Sequence, residues 1–161
     1  MPGSLVPRSV RVEAGVVVTE RPQPVAREVL GGWERDAVVL TAEERRWGRR
    51  RVRTVGGREL VLALPTGTVL QPGEVLHLAD GWYVEVEAAE EALLTIWPRT
   101  AEEALRVAFE VGNRHFTLAV AAGRLLVPDD PAMVQLLVRL GVGFERTRAV
   151  FAPLGAGHRH D

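Results

Sequence analysis

The sequence predicts an α+β fold in two parts: an N-terminal all-β domain, then a ferredoxin-like domain built as strand, helix, strand, strand, helix, strand. Three observations carry this. Short apolar runs punctuated by Gly and Pro continue to about residue 88, helical and strand patterns interleave from about residue 91, and two helices open on well-formed caps at Thr100 and Asp130.

In the first part, Gly56-Gly57, Pro65-Thr66-Gly67, Pro72-Gly73 and Asp80-Gly81 separate candidate strands at 10–19, 37–40, 49–54, 59–64, 74–78 and 82–88. Within the last, Trp82, Val84 and Val86 alternate with Tyr83, Glu85 and Glu87, which predicts one buried face. Thr41 with Glu44 forms a capping box for one short helix. The character changes at 89–91. A strand follows at 93–97, then a helix opened by Thr100 and Glu103, with Gly112 expected as its left-handed closing residue. Its expected apolar face is Ala101, Ala104, Leu105, Ala108 and Phe109.

Strands at 116–121 and 124–127 flank Ala122-Gly123, a hairpin turn. Asp130 as N-cap, Pro131 at the first helical position, Met133, Leu136, Leu137 and Leu140 on one side and Gly141 at the end define a second helix. A last strand fills 142–150. With right-handed crossovers both helices fall on one sheet face. The expected division is a tail at 1–9, a β domain at 10–88, a ferredoxin-like domain at 89–154 and a flexible histidine-containing tail at 155–161. Gly3 to Ser9 read equally as a cleavage linker or a natural disordered tail and carry no weight in the fold.

The bulk composition narrows the function. A chain of 161 residues, 47% hydrophobic and 25% charged, suits a folded protein, yet two small domains each have little core, so association is expected. Twenty basic against twenty-one acidic residues give a net charge of -1, which draws the chain to neither nucleic acid nor anionic membrane. Without cysteine, only His, Asp and Glu remain as metal ligands. No apolar stretch reaches membrane-spanning length and no secretory signal opens the sequence, so a cytoplasmic location is expected. The sequence contains no nucleophile elbow, phosphate-binding glycine loop or HExxH, and a non-enzyme is expected.

Four histidines remain. His77 lies between Leu76 and Leu78 and reads as structural; His158 and His160 are spaced to meet one metal or simply decorate a polar tail; His115 follows Gly112-Asn113-Arg114 where a helix yields to a strand. Arg45, Arg46, Arg49, Arg50, Arg51 and Arg53, with Trp47 among them, form the strongest local charge feature, and a strand from Arg49 places Arg49, Arg51 and Arg53 on one face. The bulk charge favours a solvated or partner-facing surface over nucleic acid. A peptide- or nucleic-acid-binding module without metal, using Arg45 to Arg53, is the alternative function.

The segment Ala108-Phe109-Glu110-Val111-Gly112-Asn113-Arg114-His115 resembles the nickel-ligand signature of the urease accessory protein family UreE. Further matches are Leu40 to Arg45, Asp80-Gly81, Ala88-Ala89-Glu90 and Ala149 to Pro153, so the resemblance spans roughly 38–153. It implies a peptide-binding-like β domain before the metal domain, and a homodimer in which His115 from two subunits holds Ni(II), helped by His158 or His160. It also implies delivery to the urease apoprotein with its accessory GTPase complex. Imidazole accepts Zn(II) and Cu(II) as well. Glu110 and Asp130 stand where many relatives carry histidine, which concentrates the expected site on His115.

Overall fold

A computed structural model describes residues 15–155. The first half contributes β1 (Val16–Val18), β2 (Glu34–Leu40), β3 (Arg49–Arg53), β4 (Glu59–Ala63), β5 (Val75–Leu78) and β6 (Trp82–Ala88). Of the strand expected at 10–19, residues 10–14 lie outside the described residues. The six strands form two three-stranded sheets, ordered β1-β4-β3 and β2-β6-β5. Strict alternation turns Val52, Leu60, Leu62, Val38, Val84 and Val86 inward to a common core.

Two strands of this half depart from expectation, each for a physical reason, and in the second half β7 begins three residues earlier and β8 three residues later than expected. Strand β2 begins three residues earlier than predicted, because it pairs in parallel with the whole of β6, from Glu34 opposite Trp82 to Leu40 opposite Ala88. The polar run Glu34-Arg35-Asp36 hid this extension. Asp36 is buried, accepting from the N–H groups of Ala37 and Gly56 and from the Arg58 guanidinium, each at 2.8 Å. Gly56 must be glycine for this approach, since a Cβ there would lie 2.8 Å from an Asp36 oxygen. Strand β6 is covered on both sides rather than one: the 3₁₀ turn Arg27–Leu30 closes over it, and Tyr83 is buried with Leu30, Val75 and Trp33.

The second half contributes β7 (Glu90–Ile96), α1 (Ala101–Asn113), β8 (Ala119–Ala121), β9 (Arg124–Pro128), α2 (Pro131–Leu140) and β10 (Phe144–Val150). Its sheet runs β10-β7-β9-β8, antiparallel throughout. Thr100 caps α1 by accepting from the Glu103 N–H, and Asp130 caps α2 by accepting from the Ala132 N–H. Ala122 and Gly123, with φ of 50° and 76°, make the hairpin turn between β8 and β9. Leu94 and Ile96 of β7 meet Val107 and Val111 of α1 and Met133 and Leu137 of α2 in one core.

That packing corrects the expected face of α1. Val107 and Val111 point inward with Ala104, while Leu105 and Phe109, expected in the core, are 72% and 69% exposed. The helix has two apolar stripes, and it is the β-branched pair that packs against the sheet and α2.

Only Ala89 separates β6 from β7, and its N–H donates to the Leu40 carbonyl at 2.8 Å. Where the halves meet, Ala42 packs against Leu93, Leu126 and Phe151. Arg45 is buried beside this contact and donates to the carbonyls of Leu40 (3.0 Å) and Phe151 (2.9 Å). Burial lowers its pKa, and the charge of Glu91 opposes that shift. Thr41 and Glu44 exchange the two bonds of a capping box, each 3.1 Å, and so shape the 3₁₀ turn Glu44–Arg46 that aims Arg45 inward.

Arg45→Ala should lower stability by about 3 kcal/mol, since two buried carbonyls lose their donor, with Arg45→Lys intermediate; urea denaturation measures both. A second test concerns Asp36. Burial raises its pKa, but hydrogen bonds from Thr54, Arg58, Gly56 and Ala37 outweigh that and bring it to about 2. A folded pKa below the unfolded value stabilises at neutral pH, here by about 2 kcal/mol, and that contribution fades as pH falls from about 4 to 2. Asp36→Asn should therefore be less stable at neutral pH and lose acid sensitivity in that window.

Candidate metal centre

The end of α1 fixes the position of His115. Val111 on the last turn and Phe116 beyond it both belong to the core, so the chain must reverse direction between them while keeping both side chains inside. It does so through paired bonds: the Phe116 N–H donates to the Val111 carbonyl at 3.2 Å and the His115 N–H to the Gly112 carbonyl at 3.0 Å. This closure requires one left-handed residue, and that residue is His115, at φ 61°. Gly112, expected in this role, is an ordinary helical residue with open space where its Cβ would lie.

A left-handed conformation is uncommon for residues other than glycine and costs on the order of 1 kcal/mol. The fold maintains it, and the imidazole is exposed to solvent on a backbone pinned at both sides. No periodicity in the sequence marks this strain, because it follows from the spacing between two core residues rather than from His115 itself.

The carboxylates that stand where relatives carry histidine, and Asp129 beside one of them, have partners of their own. Arg114 donates to the Glu110 carboxylate at 2.6 Å and to its carbonyl at 3.1 Å, which offsets the unfavourable placement of an acid at a helix C-terminus. Asp130 is the α2 cap, and Asp129 pairs with Arg146 at 3.3 Å. His77 sits in the other half beside a β-bulge, its ring 5.3 Å from that of Trp82, and burial lowers its pKa. His158 and His160 lie outside the described residues. Among the described residues, no three His, Asp or Glu side chains gather to hold a metal.

The end of the second half lies next to the His115 segment. Leu154 donates its N–H to the carbonyl of Leu118, three residues after His115, at 2.8 Å. The arginine run is likewise placed: Arg49, Arg51 and Arg53 are exposed on one face of β3, as expected, while Arg50 lies 4.8 Å over the Trp47 ring.

Fold and site define a two-part α+β protein that presents one rigidly mounted, exposed imidazole. Residues 26–89 match the model of the UreE urease accessory protein N-terminal domain, and residues 91–161 that of its C-terminal domain. The urease accessory protein UreE of Burkholderia thailandensis is 44% identical over 108 residues, covering 65% of this chain and 51% of its own. That of Burkholderia mallei strain ATCC 23344 is also 44% identical, covering 65% and 59%, and that of Ralstonia nicotianae is 39% identical over 127 residues, covering 76% and 60%. The chain belongs to the UreE family of urease accessory proteins and has its two-domain architecture. It spans between half and three-fifths of the length of these relatives. No described helix is long and apolar enough to cross a membrane.

If the left-handed backbone belongs to the closure rather than to the imidazole, His115→Gly should raise stability by about 0.5 to 1 kcal/mol. His115→Ala should show no such gain, and thermal unfolding distinguishes them.

Proposed function

We propose that this protein carries Ni(II) to the urease apoprotein during assembly of the enzyme's active site, acting with an accessory GTPase complex in the cytoplasm and catalysing no reaction itself. The reading is carried by His115, an exposed imidazole held at a strained helix closure in the family to which the chain belongs. Residues 10–88 form the β domain of this proposal, and residues 89–154 the ferredoxin-like metal domain, whose β10-β7-β9-β8 order suits that name.

One imidazole holds a metal weakly, so the remaining ligands come from other chain segments. A second copy supplies another His115 across a two-fold axis. The exposed Leu105 and Phe109, one helical turn apart on α1, give such a homodimer an apolar surface on the same helix that ends at His115. His158 and His160 supply further nitrogens: they follow Leu154 by four and six residues, and four extended residues reach about 14 Å. Such an open set of nitrogen donors also accepts Zn(II) and Cu(II), and it releases cargo more readily than a closed cage.

Calorimetric titration with Ni(II) should give about one tight ion per two chains. His115→Ala should abolish that binding, and removal of residues 157–161 should weaken it or lower its stoichiometry without unfolding. Tight binding unchanged in His115→Ala would refute the assignment. Leu105→Glu with Phe109→Glu should yield monomers by light scattering and a matching loss of nickel affinity.

A further inference from the structure

Strand β3 is an edge, paired with β4 alone in its sheet. Its register places Arg50 opposite Leu62 and Val52 opposite Leu60, and the flanking bonds from Leu64 to Gly48 and from Thr54 to Arg58 show which positions face the partner strand. Residues of even number bond to β4. Arg49, Arg51 and Arg53 therefore direct their N–H and C=O groups away from the sheet, and none of these groups has a backbone partner among the described residues. The same three residues expose their side chains. Arg51 has a loose ion pair with Glu59 at 3.3 Å, whereas Arg49 and Arg53 have no carboxylate within salt-bridge distance among the described residues.

We infer that the β3 edge is a docking strip for an extended acidic segment of another protein, which adds as a fourth strand with carboxylates at alternate positions facing Arg49, Arg51 and Arg53. Open backbone groups call for a polypeptide in β conformation, and side chains spaced about 7 Å apart on one face call for acids at the same period. A second copy of this edge would bring arginine against arginine, so edge-to-edge self-pairing is opposed. Nucleic acid is the poorer occupant: it has no use for the strand's backbone groups, and one face of Trp47, the aromatic residue of the run, already carries the Arg50 guanidinium although the residue stays 47% exposed.

The test uses the full chain and a fluorescent nine-residue peptide with glutamate at alternate positions and threonine between. Anisotropy should report saturable binding that weakens with salt. It should fall at least tenfold in both the Arg49→Glu, Arg51→Glu, Arg53→Glu variant and the milder Arg49→Thr, Arg51→Thr, Arg53→Thr variant, each checked for fold by circular dichroism. A peptide with its inward-facing amides N-methylated should not bind. Four results would overturn the inference: no binding at millimolar peptide, equal binding of a scrambled peptide with the acids on both faces, insensitivity to the threonine variant, or tighter binding of a single-stranded oligonucleotide. Aggregation of the threonine variant with no peptide binding by the parent chain would also overturn it, showing that the arginines only guard the edge.

Discussion

The buried guanidinium of Arg45 joins the two halves of this molecule. One side chain reaches the carbonyl of Leu40 at the end of β2 and that of Phe151 just past β10, points more than one hundred residues apart in sequence. A charged group without such partners would be expelled from an apolar junction; with them, it ties together two halves that have separate cores. The position of residues 151–154 follows. Phe151 is held by Arg45, Leu154 is tied to Leu118, and Leu118 lies three residues from His115, so the route from the junction to the exposed imidazole is short and bonded throughout.

The imidazole is placed with the rigidity that a metal ligand needs but without the partners that would close a site. Val111 and Phe116 hold the helix closure from inside, Arg114 pairs with Glu110, and His115 belongs to no cluster of three or more potential ligands among the described residues. Under the proposed role, such a site would suit a cargo that must leave. A complete tetrahedral set would bind more tightly and exchange more slowly.

The arginines show why a charge run read in one dimension is ambiguous. Arg45 is buried in the junction, Arg50 covers Trp47, and Arg49, Arg51 and Arg53 line an open strand edge. The run thus divides by strand parity and by the turn before it into a structural group and an exposed one. A chain of nearly neutral net charge can in this way carry a sharply basic edge without a basic surface overall.

The sequence by itself determined the element order, the strand alternation, the caps at Thr100 and Asp130 and the Ala122-Gly123 turn, because each rests on local periods or on residues with narrow backbone preferences; His115 stood out only through the resemblance of its segment to the family signature. Tertiary structure decided the rest. Which stripe of α1 faces the core was decided by its packing against β7 and α2, which took Val107 and Val111 and left Leu105 and Phe109 on the surface. The three-residue extension of β2 depended on a distant parallel partner and on donors gathered around Asp36. The left-handed residue closing α1 is His115 rather than Gly112, because the core contacts of Val111 and Phe116 set where the chain must reverse. A pattern within one segment carries no information about such distances between segments.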